Sequence, residues 1–233
     1  MRAAVVVGAA VVAALAVGVA PAGATRECQG LMVCVPKAGP WVVVPISGGV
    51  PRPQVEYRIT CPRRYVVGGL DAELSDRAVD VSFLGSLGSP VNPGISTSDS
   101  VVFVGSYVGA SAASASFRPH VGCLPGRGGG TRVPTAVTTI LPGHPTIRRA
   151  HEVRIRPGPS AISQVCGPRE RLVNGAHAVG FYTRTPPSGS LARSVTTKLS
   201  LHGNRAVVQV RADAEISAVR AVVQVQAVCA VVR

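Results

Sequence analysis

The densest set of groups able to do chemistry lies in the stretch GGLDAELSDRAVD, which begins at Gly68. Asp71 and Glu73 are two residues apart, so in a strand they point to one face, and Asp76 and Asp80 follow across a turn. Paired carboxylates so placed serve a glycosidase as acid and base, or gather oxygen ligands around Ca²⁺. The simpler expectation is a solvated face paired with Arg63, Arg64 or Arg77. A second group is basic: RRAHEVRIR holds Arg148, Arg149, Arg154 and Arg156. Alternation sets Arg154 and Arg156 on one strand face, where planar guanidinium groups engage phosphate, sulfate or carboxylate.

Other chemistries lack their motifs. A nucleophile elbow needs G-x-S-x-G, and GSYVG and GSLGS put the serine in the wrong place. There is no H-E-x-x-H, and His120, His144, His151, His177 and His202 are scattered without metal-ligand spacing. His120 and His151 read as surface or strand-end residues. Nucleic-acid surfaces interleave aromatic with basic side chains, and aromatics are only 4% here, which argues against specific nucleic-acid binding. Trp41, the single Trp, is expected to cover the edge of a core. These residues assign no catalytic group, cofactor or metal, and the reading leans away from an enzyme.

The amino-terminal segment fixes the expected compartment. Arg2 precedes a long run of Ala, Val, Leu and Gly that ends in Ala22-Gly23-Ala24, the order of a secretory signal peptide, with cleavage expected after Ala24. An uncleaved anchor is the competing reading, because the apolar run reaches the lower limit for spanning a bilayer. No second apolar run is long enough, so the mature chain is expected to carry no membrane span and to be secreted, extracellular or at the cell surface. The formal charge is +13, and residues 148 to 233 hold 13 basic against 4 acidic residues, so the second half carries the positive field. Anionic cell-envelope polymers or polysaccharide are the partners such a field attracts.

The chain also says nearly the same thing twice. CPRRYVVGGL begins at Cys61 and CGPRERLVNG at Cys166, and a shift of 106 residues sets Pro62 on Pro168, Gly69 on Gly175, Val101 on Val207 and Cys123 on Cys229. Cysteines at both ends of each copy make the economical pairing Cys61 with Cys123 and Cys166 with Cys229, leaving Cys28 with Cys34. Between them, short runs rich in Val, Phe, Tyr and Ser are separated by Gly, Pro, Asn or Ser, and helical periodicity is absent nearly everywhere after the signal. The expected fold is all-β: two tandem antiparallel β-sandwich-like repeats, each stapled by a disulfide. The expected division is a signal peptide over 1–24, a disulfide hairpin and strand over 25–54, a first repeat over 55–124, a Gly/Pro-rich linker over 125–149 and a second repeat over 150–233. Gly68-Gly69 inside a strand pattern predicts a bulge or a close backbone approach. Asn174-Gly175 is read as its counterpart, Asn being a residue that tolerates positive φ.

The pattern Cys61, Pro62, Val66, Val67, Gly68, Gly69 and Cys123 resembles a β unit of uncharacterised exported actinobacterial proteins. The second copy keeps Cys166, Pro168, Val173, Gly175 and Cys229 but has Asn174 in place of the first glycine. The resemblance implies a fold and a compartment and brings no activity. The expected function is a non-catalytic structural or binding protein of the bacterial surface. The alternative is a secreted carbohydrate-active hydrolase that uses Asp71 and Glu73.

Overall fold

The computed structural model describes residues 25–31, 33–46, 51–84, 99–110, 112, 114–126 and 146–231. The expected signal over 1–24 and most of the expected linker lie outside them. Thirteen strands are present among the described residues: β1 (Val35–Ala38), β2 (Trp41–Val44), β3 (Gln54–Thr60), β4 (Tyr65–Leu74), β5 (Val79–Leu84), β6 (Ser100–Tyr107) and β7 (Ala115–Pro125) in the first half, then β8 (Thr146–Arg154), β9 (Gly158–Val165), β10 (Glu170–Tyr182), β11 (Val195–His202), β12 (Arg205–Ala212) and β13 (Arg220–Val231). The one α-helix among them, α1 (Gly189–Arg193), is a single turn capped by the Ser188 side chain. No helix among the described residues is long and apolar enough to cross a membrane.

The strands form one large antiparallel sheet and two of three strands. In the large sheet β7 carries β4 along one edge, and β1 and β2 end to end along the other. Then follow β10, β13 and β8. The small sheets run β3-β6-β5 and β9-β12-β11. Both halves therefore have the same connectivity, and β8 stands to β13 as β1 and β2 stand to β7.

Alternation along a strand sends successive side chains to opposite faces, which decides where the two cores lie. Val42 and Val44 enter a core with Tyr57, Phe103 and Phe117, while Val43 between them packs on a second core with Phe181, Val208 and Val223. The small sheets thus cover opposite faces of the large one. Trp41 is 3% exposed at the junction, beside its strand partner Phe181.

Three disulfides join Cys28 to Cys34, Cys61 to Cys123 and Cys166 to Cys229. The two long ones span equivalent places, since Val67 faces Cys123 across β4 and β7 as Leu172 faces Cys229 across β10 and β13. The next residue is bulged in both pairs, Gly68 in one and Val173 in the other. Register thus equates Gly68-Gly69 with Val173-Asn174, one residue earlier than the 106-residue shift. The reason is unequal loops: the turn between β4 and β5 is short where α1 intervenes between β10 and β11, and the β5–β6 connection is long where β11–β12 is a tight turn.

Neither glycine of the first bulge nor Asn174 has positive φ. Close approach explains Gly69 instead, because a Cβ there would lie 1.7 Å from the Glu27 carbonyl oxygen. The expected linker also ends early, since β8 begins at Thr146 and takes Arg148 and Arg149 into the large sheet.

Closing a loop of 62 or 63 residues removes chain entropy from the unfolded state. Replacing Cys61 and Cys123 together by Ala, or Cys166 and Cys229 together, is expected to lower the urea-unfolding free energy by about 4 kcal/mol for each pair. A loss under about 1 kcal/mol for either pair would mean that the bond adds nothing to the sheet contacts around it.

Candidate functional site

The expected acidic constellation divides. Asp71 and Glu73 lie together on β4, on the face of the large sheet away from the first core. Asp71 accepts from the Arg26 amide at 2.6 Å and from the Ala72 amide at 2.8 Å. Glu73 lies 3.2 Å from His120 Nε2 and 4.0 Å from Arg118. Asp76 instead shapes the next turn by accepting from the Ala78 amide, and Asp80 is exposed on β5 in a different sheet. The partners of Glu73 are therefore Arg118 and His120 on the neighbouring strand rather than Arg63, Arg64 or Arg77. His120 is buried in mid-β7, not at a strand end, and its Nδ1 lies 3.6 Å from the buried carboxylate of Glu27.

The expected anion-binding arginines also divide. Arg148 pairs with Glu56 of β3. Arg149 holds Glu170 through two hydrogen bonds of 2.8 and 2.6 Å. That guanidinium, helped by the Gly167 amide, holds the Glu170 carboxyl down at about 2. Both arginines are thus spent on fixing β8 and the start of β10. Arg154 and Arg156 remain exposed, with no carboxylate partner among the described residues.

Between the halves lies a polar cleft of about 340 Å³ whose lining includes Lys37, Tyr57, Arg58, Thr60, Glu152 and Tyr182. Tyr57 donates its hydroxyl to Glu152, and Tyr182 reaches the other oxygen of that carboxylate at 3.4 Å. Burial first, then the Glu152 charge, raises both phenols above their ordinary range. Arg220 stacks over the Tyr182 ring at 4.4 Å. Gln224 grips the β3 backbone beside this cleft, accepting from the Arg58 amide and donating to its carbonyl, and Gln226 donates to the Glu56 carbonyl. These bonds run between β3 of the first half and β8, β10 and β13 of the second, so the cleft reads as a seam joining the halves.

The surface best suited to a large ligand is the outer face of β9-β12-β11. Cross-strand pairing sets Thr196 beside Arg211, Lys198 beside Gln209, Ser200 beside Val207 and His202 beside Arg205. Side chains directly opposite in an antiparallel pair share a face, so Lys198, His202, Arg205 and Arg211 stand among hydroxyl and amide groups. The three strands contain no Asp or Glu. Behind that face the inward positions of the central strand β12, Ala206, Val208, Val210 and Ala212, are all buried and anchor it on the second core. A shallow groove of about 600 Å³ runs along it, lined in part by Ala161, Thr196, Lys198, Gln209 and Arg211.

This face is inconspicuous in the sequence because its cations are spread over two strands, whereas the run around Arg148 is compact. The available signal was the period of two in β12 together with the absence of acids from three successive strand patterns. Glu27, His120 and Glu152 carried no such signal, since each acquires its partner only through folding. One cluster with metal-ligand proximity, Cys166, Glu170 and Cys229, has both sulfurs in a disulfide, so neither is a thiolate able to ligate.

The Arg149–Glu170 pair has a pH signature. Its folded carboxyl is depressed, so its stabilisation is present above the ordinary value of 4.5 and is lost as pH falls toward 2. Between those limits the melting temperature of Glu170→Gln is expected to fall less with acid than that of the native chain; equal slopes would mean that the pair is not formed. No family model, curated protein or solved structure matches this chain.

Proposed function

We propose that this is an exported, non-catalytic binding protein of the bacterial surface or extracellular space, which holds an anionic polysaccharide or envelope polymer on the outer face of β9-β12-β11. The observation that carries this reading is a flat cationic face built by three strands without an acidic residue. Extended polyanions suit such a face, because repeated carboxylates or phosphates meet cations spaced along a strand pair while hydroxyl and amide groups take up sugar oxygens. Three disulfides favour the oxidising compartment that the amino-terminal segment suggests.

The matching connectivity and bulges of the two halves support a duplicated unit, of the kind resembled by exported actinobacterial proteins. In that reading the second copy has diverged to present its sheet to ligand. The first small sheet exposes the acid Asp80, and its β3 edge is turned to the seam, where Glu56 pairs with Arg148. The hydrolase alternative gains little, since Asp71 accepts from two backbone amides and neither Asp71 nor Glu73 lines the clefts described above.

Alginate, a uronic-acid polymer, is a suitable probe. Binding at low ionic strength is expected to weaken steeply with salt, because exposed charges are screened over about 10 Å at 0.1 M. The combined variant Lys198→Glu, Arg205→Glu, Arg211→Glu is expected to lose at least about tenfold in affinity while keeping its melting temperature. Undiminished binding by that folded variant would remove the face from the function.

A further inference from the structure

The amino-terminal disulfide loop buries an acid that lacks a full set of partners. Glu27 is 5% exposed, yet one of its carboxylate oxygens, Oε2, has no hydrogen-bond partner among the described residues. The other oxygen accepts from the Thr25 hydroxyl at 3.2 Å and lies 3.6 Å from His120 Nδ1. Removing a carboxylate from water is costly unless it is paired and hydrogen-bonded, and those two contacts leave half of the group unsatisfied. A second carboxylate reaches the same segment, since Asp71 accepts from the Arg26 amide at 2.6 Å. Two acids therefore flank the first residues after the expected cleavage point, and Glu27 Oε2 is the oxygen there that has no donor.

We infer that Glu27 and Asp71 form a receptor for the chain's own new amino terminus, the ammonium group of Thr25 released when the signal segment is removed. This rests on the reading that residues 1–24 are cleaved from the exported chain. The chemistry is hydrolysis by a signal-cleaving peptidase: the bond between the Ala24 carbonyl carbon and the Thr25 nitrogen breaks. Water supplies a hydroxyl to the carbonyl and a proton to the nitrogen, which takes up a second proton at neutral pH. A group that carried one N–H as an amide then carries three and a positive charge. Its reach is adequate, because an amino nitrogen lies within about 3–4 Å of its own residue's Oγ1, and that Oγ1 already touches Glu27.

The consequence is a maturation lock. The Glu27 carbonyl lies over Gly69 and Gly122, where a Cβ would come within 1.7 and 2.1 Å of it. The loop closed by Cys28 and Cys34 thus sits on the β4–β7 face with its backbone pressed to the sheet. Before cleavage that seat holds a buried acid with one oxygen unsatisfied, and after cleavage the ammonium group supplies the missing donor. The charged or titratable groups that the contacts bring to the seat are Glu27, Asp71, Glu73, His120, Arg118, Arg26 and the new ammonium.

The test compares chains beginning at Thr25, released from a cleavable fusion, with chains that retain Gly23-Ala24 and with Nα-acetylated chains. In the first, the α-amino group is expected to titrate at least about one unit above its ordinary value of about 8. The melting temperature at pH 7 is expected to exceed that of both blocked chains. In Glu27→Gln, which keeps the side-chain shape, the α-amino group should return toward its ordinary titration and blocking should no longer matter. An ordinary titration in the native chain, with equal melting temperatures for free and blocked ends, would overturn the inference. Intact mass of the exported chain separately tests cleavage after Ala24; a different terminus there would sink the signal reading and its maturation lock, whatever the recombinant chains show.

Discussion

A seven-stranded sheet has two faces to bury, and each three-stranded sheet covers only its own half of one of them. The rest of the structure depends on how the two remaining half-faces are closed. On β13 the positions turned away from the second core, Gln224 and Gln226, bind the free edge of β3, so that a strand from the first half seals the sheet of the second. On β7 the register-equivalent positions are Arg118 and His120, and there the amino-terminal disulfide loop takes the seat. Polar side chains do this work because the groups they meet are backbone amides and carboxylates, which an apolar surface would leave unsatisfied.

This asymmetry separates support from display. The first small sheet is tied to the seam through Glu56, Arg58 and Tyr57, each engaged by β8 or β13. The second small sheet has no such obligation on its outer side, so Lys198, Arg205 and Arg211 remain available to solvent and ligand. Charge follows the same division in part: Glu56, Glu152 and Glu170 lie where segments are locked, and Lys198, Arg205 and Arg211 where the surface is open. Rigidity behind the cationic face comes from Val208 and Val210 packed on Val223 and Val225.

Much of the fold was legible because β-branched runs, turn residues and cysteine positions all point to the same answer. The pairings Cys61–Cys123 and Cys166–Cys229 followed from the near-repeat of the sequence. The alignment was one residue out at Gly68-Gly69 because loop-length changes of opposite sign nearly cancel over the whole copy. Gln224 and Gln226 were illegible as docking residues, since a polar residue alternating with Val reads as solvent-facing whether it meets water or another strand. Arg148 and Arg149 sat beside a Gly/Pro-rich stretch and looked free, yet β8 carries them to Glu56 and Glu170. His120 depended on Glu27, and no local pattern joins residues so distant in the chain.

The two halves are expected to make one folding unit, because they share a sheet and β3 of the first half closes the exposed half-face of the second. Differential scanning calorimetry of the disulfide-intact chain tests this most directly. A single transition is predicted, with calorimetric and van't Hoff enthalpies equal. Two resolved transitions, or a calorimetric enthalpy near twice the van't Hoff value, would mean that the halves melt separately and that the shared sheet does not couple them.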